Sequence, residues 1–280
     1  MPPLFDGFDL AGLSELAGRP LVEAAMLRFY ALTLVLVRMS GLMLIGPVFG
    51  QPVVPANVRV FLAVALSVLV APTLPDQEFP ALPGSVLEYA HVAAGELAIG
   101  LVLGLGVFIV LSGFLLAGEL IDQQSGTLLG EVFNPGLDTS GSTTGQLLYL
   151  LAVTAFLTMT PVGGHLLMVS GLVETFQTLP VGQAWIATPA IELLRDLVHQ
   201  SLVLGVQVAA PLLAAMSLVA LTMGFLGHTV PQINVLVVGF PVRALVSLLV
   251  LAVTVSGAAR AVVDLLPVVI DRLTAALGGA

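Results

Sequence analysis

Four carboxylates lie in or beside long apolar stretches: Glu96, Glu119, Asp122 and Glu131. A carboxylate at membrane depth either carries protons or is held by a partner. The four histidines, His91, His165, His199 and His228, form no i,i+4 pair and no HExxH, so they do not read as zinc ligands. Each reads as a hydrogen-bonded packing or interface residue. Gly141–Gly145 is GSTTG, which lacks the central serine of a nucleophile elbow. There is no P-loop and no dinucleotide fingerprint. Without cysteine there is neither a disulfide framework nor thiolate chemistry. The expectation is no catalytic set, no cofactor and no metal. Two arginines, Arg28 and Arg38, fall inside the first apolar segment, where a guanidinium must reach protein or water. Arg28 has a route by snorkelling or by pairing with Glu23. Arg38 lies deeper and is expected to face a partner helix. Glu96 is expected to hydrogen-bond a neighbouring helix in preference to relaying protons.

The surroundings of these groups explain why they stand out. Of 280 residues 58% are hydrophobic and only 9% charged, against about 25% charged in a soluble domain. Mean hydropathy is +1.10. Apolar stretches near the ~18-residue length of a membrane helix recur along the chain. Backbone groups in hydrocarbon must be paired internally, which leaves helices or closed barrels. The stretches lack barrel-strand alternation, so the fold class is all-α. Eight arginines, no lysine and a net charge of −9 exclude a nucleic-acid partner, which needs clustered positive charge. The first 20 residues carry Asp6, Asp9 and Glu15 against Arg19, unlike a cleavable leader. The first apolar segment is therefore expected to act as an uncleaved insertion signal.

The segments are uneven. Leu21–Ile45 starts after Arg19-Pro20, a proline position suited to a first helical turn. Pro47, Pro52 and Pro55 then exclude a continuous helix. Asn57–Ala71 would cover only ~22 Å, short of a ~30 Å hydrocarbon core. A loop with Pro72, Pro75, Pro80 and Pro83 leads to Ser85–Glu119, which would reach ~50 Å. Glycines line that segment, including the GxxxG at Gly100–Gly104, and suit close helix packing. Gln146–Met159 and His165–Leu179 form a short hairpin about Thr160–Gly164. The loop Pro180–Thr188 holds Trp185, an interfacial anchor. Pro189–Gly227 would reach ~58 Å, with a kink at Pro211. Val235–Leu266 is interrupted at Gly239 and Pro241, pairs Arg260 with Asp264, and is followed by an amphipathic tail, Pro267–Ala280. Such lengths fit helical hairpins packed on other subunits better than a bundle of uniform spans.

Between the two halves lies Gly118–Gly145, the longest polar, glycine-rich interruption in the chain. Leu128, Leu129, Val132 and Phe133 sit among its polar residues. A polar segment at membrane depth is tolerated only if it is buried in protein or lines a water-filled cavity. Apolar side chains ringing such a cavity act as a gate. Composition alone favours an ordinary solvated loop.

Five motifs occur in order: PVFGQPVVPANVR at Pro47–Arg59, GEL at Gly118–Leu120, NPG at Asn134–Gly136, GGH at Gly163–His165 and PQINVLVVGFPVR at Pro231–Arg243. With these spacings the chain resembles the FliR/SctT family of type III export-gate membrane proteins, over about residues 25–270. The resemblance implies a non-enzymatic subunit of a hetero-oligomeric gate with FliP and FliQ, next to FlhB and FlhA. The gate would sit in the inner membrane within the flagellar basal body, in contact with lipids, and pass unfolded export substrates. It implies membrane-associated hairpins of unequal length, with a FliP-like part at 1–184 and a FliQ-like hairpin and tail at 185–280. The segment after the GE motif, 123–138, would be a pore plug closed by Leu128, Leu129, Val132, Phe133, Asn134 and Pro135. Glu119 and Asp122 are left as helix-end or intersubunit contacts, and Arg38 and Glu96 are further candidates for intersubunit polar contacts. Ser125, Thr127 and Glu131 make the segment more polar than is usual in the family. The competing reading is a proton-coupled secondary transporter of small solutes, with Glu96, Glu119 or Asp122 as carrier.

Overall fold

The computed structural model of the chain describes residues 10–74, 82–125, 142–183, 188–230, 232 and 234–278, the side chains of 10–24, 235 and 236 excepted. Seven α-helices occupy them: α1 (Leu10–Ile45), α2 (Ala56–Val70), α3 (Val86–Ser125), α4 (Thr143–Thr158), α5 (Gly164–Thr178), α6 (Thr188–Thr229) and α7 (Val235–Leu277). No strand occurs among the described residues, so the fold is all-α. The helices α1, α3, α6 and α7 have 36, 40, 42 and 43 residues, and α2, α4 and α5 have 15, 16 and 15. The long ones reach about 54–65 Å and the short ones about 22–24 Å, on either side of a ~30 Å hydrocarbon core. Five described stretches are long and apolar enough to cross a membrane: the apolar parts of the four long helices, and α2 when the turn that extends it to Thr73 is included.

The axis of the molecule is α3. It starts in a capping arrangement: Glu88 N–H donates to Ser85 Oγ, and the Glu88 carboxylate accepts from Gly84 N–H. No proline follows until its end. Apolar residues occupy every face, the pattern of a helix that is enclosed rather than half-solvated. Ile99, Leu103, Val107, Leu111, Phe114 and Ala117 are fully buried along it. Glycines set how close its neighbours come. A Cβ added at Gly100 would overlap Arg38 O of α1, and one at Gly41 would lie 2.5 Å from Leu97 O. A Cβ at Gly113 would lie 2.6 Å from Ser201 O of α6, and one at Gly118 would overlap the backbone of Gly145 in α4. Three helices thus meet α3 at backbone distance, the packing that small residues permit.

α6 and α7 form a long hairpin with two unlike ends. Ala190, Leu197, Ala209 and Leu212 of α6, with Val262, Leu266, Ile270, Leu273 and Leu277 of α7, join the core. Toward the connection, Leu218, Leu221, Phe225, Val237, Phe240, Leu245 and Leu249 are exposed. α2 likewise shows Val58, Val60, Phe61, Val68 and Leu69 outward.

The expected elements all occur, with corrected bounds. α1 begins at Leu10, not Leu21, and runs through Pro20. α3 continues past Glu119 to Ser125, and α4 starts at Thr143, so the central interruption is shorter than expected. The expected break at Gly239 and Pro241 and the separate tail after Pro267 are both replaced by one helix. An interior proline costs about 3 kcal/mol. Beyond Pro267, α7 buries Val269, Ile270, Leu273 and Leu277, each worth about 1.5–3 kcal/mol, so burial outweighs the break. Arg260 and Asp264 are both exposed and lie further apart than an ion pair requires. Trp185 lies outside the described residues.

Gly100→Ala should lower stability by about 1–3 kcal/mol through overpacking. Thermal unfolding in detergent reads this against Gly257→Ala, where nothing lies within 4 Å of the added methyl and no loss is expected.

Candidate functional site

Both ends of the central interruption are held together. From the last turn of α3, Asp122 points at the start of α4 and is 3% exposed. Its Oδ2 accepts from Ser142 Oγ at 2.6 Å and from Thr144 N–H at 3.1 Å, and its Oδ1 accepts from the Thr144 hydroxyl. Ser142 is the N-cap of α4 and accepts from Gly145 N–H at 2.8 Å. The first N–H groups of a helix lack intrahelical partners. Here Asp122 and Ser142 supply two of them, and a carboxylate at this end complements the helix dipole. The Gly118–Gly145 backbone contact lies beside this clasp. The chain therefore leaves α3 and returns to α4 at one place.

The residues expected to close a pore, Leu128, Leu129, Val132, Phe133, Asn134 and Pro135, lie outside the described residues. Glu119 is exposed on α3 and free to meet another surface. Asp122 makes a helix-end contact at the start of α4, and Arg38 and Glu96 are engaged within the chain.

Arg38 and Glu96 are 0% exposed. Arg38 Nε donates to Glu96 Oε2 at 2.5 Å. Arg38 Nη1 donates to Thr175 Oγ1 and Nη2 to Leu179 O, both at 3.1 Å. Glu96 Oε1 accepts from Gly182 N–H at 2.7 Å. The guanidinium carbon lies 4.0 Å from the centre of the Phe176 ring, a cation–π contact. A buried ion pair must find partners beyond the pair itself to offset its desolvation, and this one does. Arg28, in contrast, is exposed.

A third cluster orders the proline-rich turn after α1. Arg59 donates to Val54 O and to Gln51 O at 2.8–3.1 Å. Gln51 Nε2 donates to Tyr149 Oη of α4 at 2.7 Å and to Pro47 O at 3.1 Å. Sequence reasoning passed over Thr175, Gln51, Tyr149, Ser142 and Thr144. Only Ser142 had a signal, a serine just ahead of an apolar run. The others are partners brought from far along the chain, which no local pattern marks.

The chain matches the family described as bacterial export proteins, family 1, over residues 29–267. It is 32% identical to the flagellar biosynthetic protein FliR of Bacillus subtilis strain 168 over 232 residues, covering 81% of this chain and 87% of that protein. Against the flagellar biosynthetic protein FliR of Escherichia coli K12 it is 28% identical over 217 residues, 78% of this chain and 81% of the relative. It is also 26% identical to the Yop proteins translocation protein T of Yersinia pestis over 245 residues, 86% and 88% of the two chains.

The clusters should respond differently to substitution, as thermal unfolding in detergent will show. Asp122→Ala strands three donors and should cost about 1–3 kcal/mol, while Asp122→Asn, which keeps one acceptor oxygen, should cost less. Arg38→Ala leaves a lone buried carboxylate and should cost about 3–5 kcal/mol. The double variant Arg38→Met/Glu96→Leu should be more stable than Arg38→Ala.

Proposed function

The chain belongs to the bacterial export proteins, family 1, the FliR/SctT family, and from that premise we propose that it is a non-enzymatic pore subunit of a flagellar type III export gate with segment 123–138 as its plug. Membership makes it a component of a type III export apparatus, and its helices make it an all-α membrane protein. The observation that carries the finer reading is the Asp122 clasp. It ties the exit from α3 to the start of α4, so the stretch between them is a closed excursion from one point on a rigid axis. A plug must stay attached at its base while it yields to a passing chain, and a two-ended anchor meets that need. Leu128, Leu129, Val132 and Phe133 supply the apolar closure that resists water and ions.

The proposed partners are FliP and FliQ in the gate itself, with FlhA and FlhB beside it. The exposed apolar surfaces of α2 and of the α6–α7 connection suit burial against such subunits and against inner-membrane lipid. In this reading residues 1–184 form the FliP-like part and 185–280 the FliQ-like hairpin. The transporter reading loses support, because two of its three carriers are occupied. Glu96 is held by Arg38 and Gly182 N–H, and Asp122 by the α4 cap.

Deleting Gln124–Phe133 should raise ion leak across the inner membrane of cells whose apparatus still assembles. An unchanged leak with assembly intact would sink the plug assignment.

A further inference from the structure

The Arg38–Glu96 pair joins α1 to α3, yet those helices are already in backbone contact through Gly41 and Gly100. All the other hydrogen bonds of the pair go to one short stretch, Thr175 to Gly182, where α5 ends and the chain turns toward α6. Arg38 takes the Thr175 hydroxyl and Leu179 O, and Glu96 takes Gly182 N–H. Gly182 has φ 85°, a backbone state that a residue with a side chain rarely adopts. Next to it, Val181 is 4% exposed. The turn is thus held from the inside at three points.

That hold matters for the hairpin. α6 begins at Thr188, a few residues after the held turn, and meets α3 where Ser201 Oγ donates to Ile109 O at 2.6 Å. The far end of α7 returns to the same helix α5. A Cβ at Gly171 would meet Thr274 and Ile270, and one at Gly278 would meet Thr178. Glu174, Thr175 and Thr178 share a cleft with Asp271 and Thr274. We propose that Arg38 and Glu96 are positioning residues for the C-terminal hairpin: the buried pair clamps the α5–α6 turn and so fixes where α6 leaves the body and where α7 comes back.

The chain has no cysteine, so single introduced thiols report without background. The test uses the full-length protein in native membranes with Val181→Cys as reporter and Ala152→Cys, 1% exposed on α4, as control. In the otherwise unchanged protein both should resist a membrane-permeant maleimide. Arg38→Met and Glu96→Leu should each raise labelling at position 181 about tenfold or more, as release of a local unit does, and leave position 152 protected. The swap Arg38→Glu/Glu96→Arg should leave 181 reactive, because an arginine at 96 offers no acceptor to Gly182 N–H. Unchanged labelling at 181 would overturn the proposal. So would equal exposure of 152, which would make the pair a support of the whole fold, or protection restored by the swap, which would make it an ion pair and nothing more.

Discussion

Backbone-to-backbone contact along α3 is the constraint on which the rest of this structure depends. In lipid no hydrophobic drive brings apolar helices together, so association relies on close packing and on hydrogen bonds. Gly100, Gly113 and Gly118 remove side chains where α1, α6 and α4 cross. The crossings then bring polar atoms within reach. Arg38 lies beside the Gly100 contact, Ser201 at Gly113, and Asp122 one turn beyond Gly118. Each of these three buried polar groups finds a partner near a glycine, where two backbones are close enough for short bonds to form.

The two occupied carboxylates, Glu96 and Asp122, share a logic and differ in what they hold. Glu96 faces a permanent positive charge and a backbone N–H, in a site closed to solvent. Asp122 faces a helix end, where the charge is partial and the donors belong to the first turn. Both fix a place where the chain changes direction. One sets the turn between α5 and α6, the other the gap between α3 and α4. The exposed Glu119, between them in sequence terms but on the outer face, takes no part in either.

The fold was largely readable because hydrophobic run length and glycine placement are local properties. Asn57–Ala71 and His165–Leu179 nearly coincide with α2 and α5. Proline was misleading in α7, because its cost is local while the burial of Leu273 and Leu277 is not. The chemistry was only half readable. Arg38 and Glu96 stood out as charges in apolar segments, and each was expected to face another helix. That they face each other, and that Thr175 and Gly182 complete the set, rests on separations of 58 to 141 residues. Asp122 was readable as a helix-end acid, but the helix it meets was not, because the N-cap it holds lies 20 residues further on.

The clasp at Asp122 also bears on how freely the stretch it encloses can vary. With both ends fixed by the body, the entropy of the intervening chain depends only weakly on its length, about 0.6 kcal/mol for each doubling. A longer or shorter stretch between Ser125 and Ser142 therefore changes the closure cost little, and the Asp122 anchor, more than the length between its ends, sets whether α3 and α4 stay joined there.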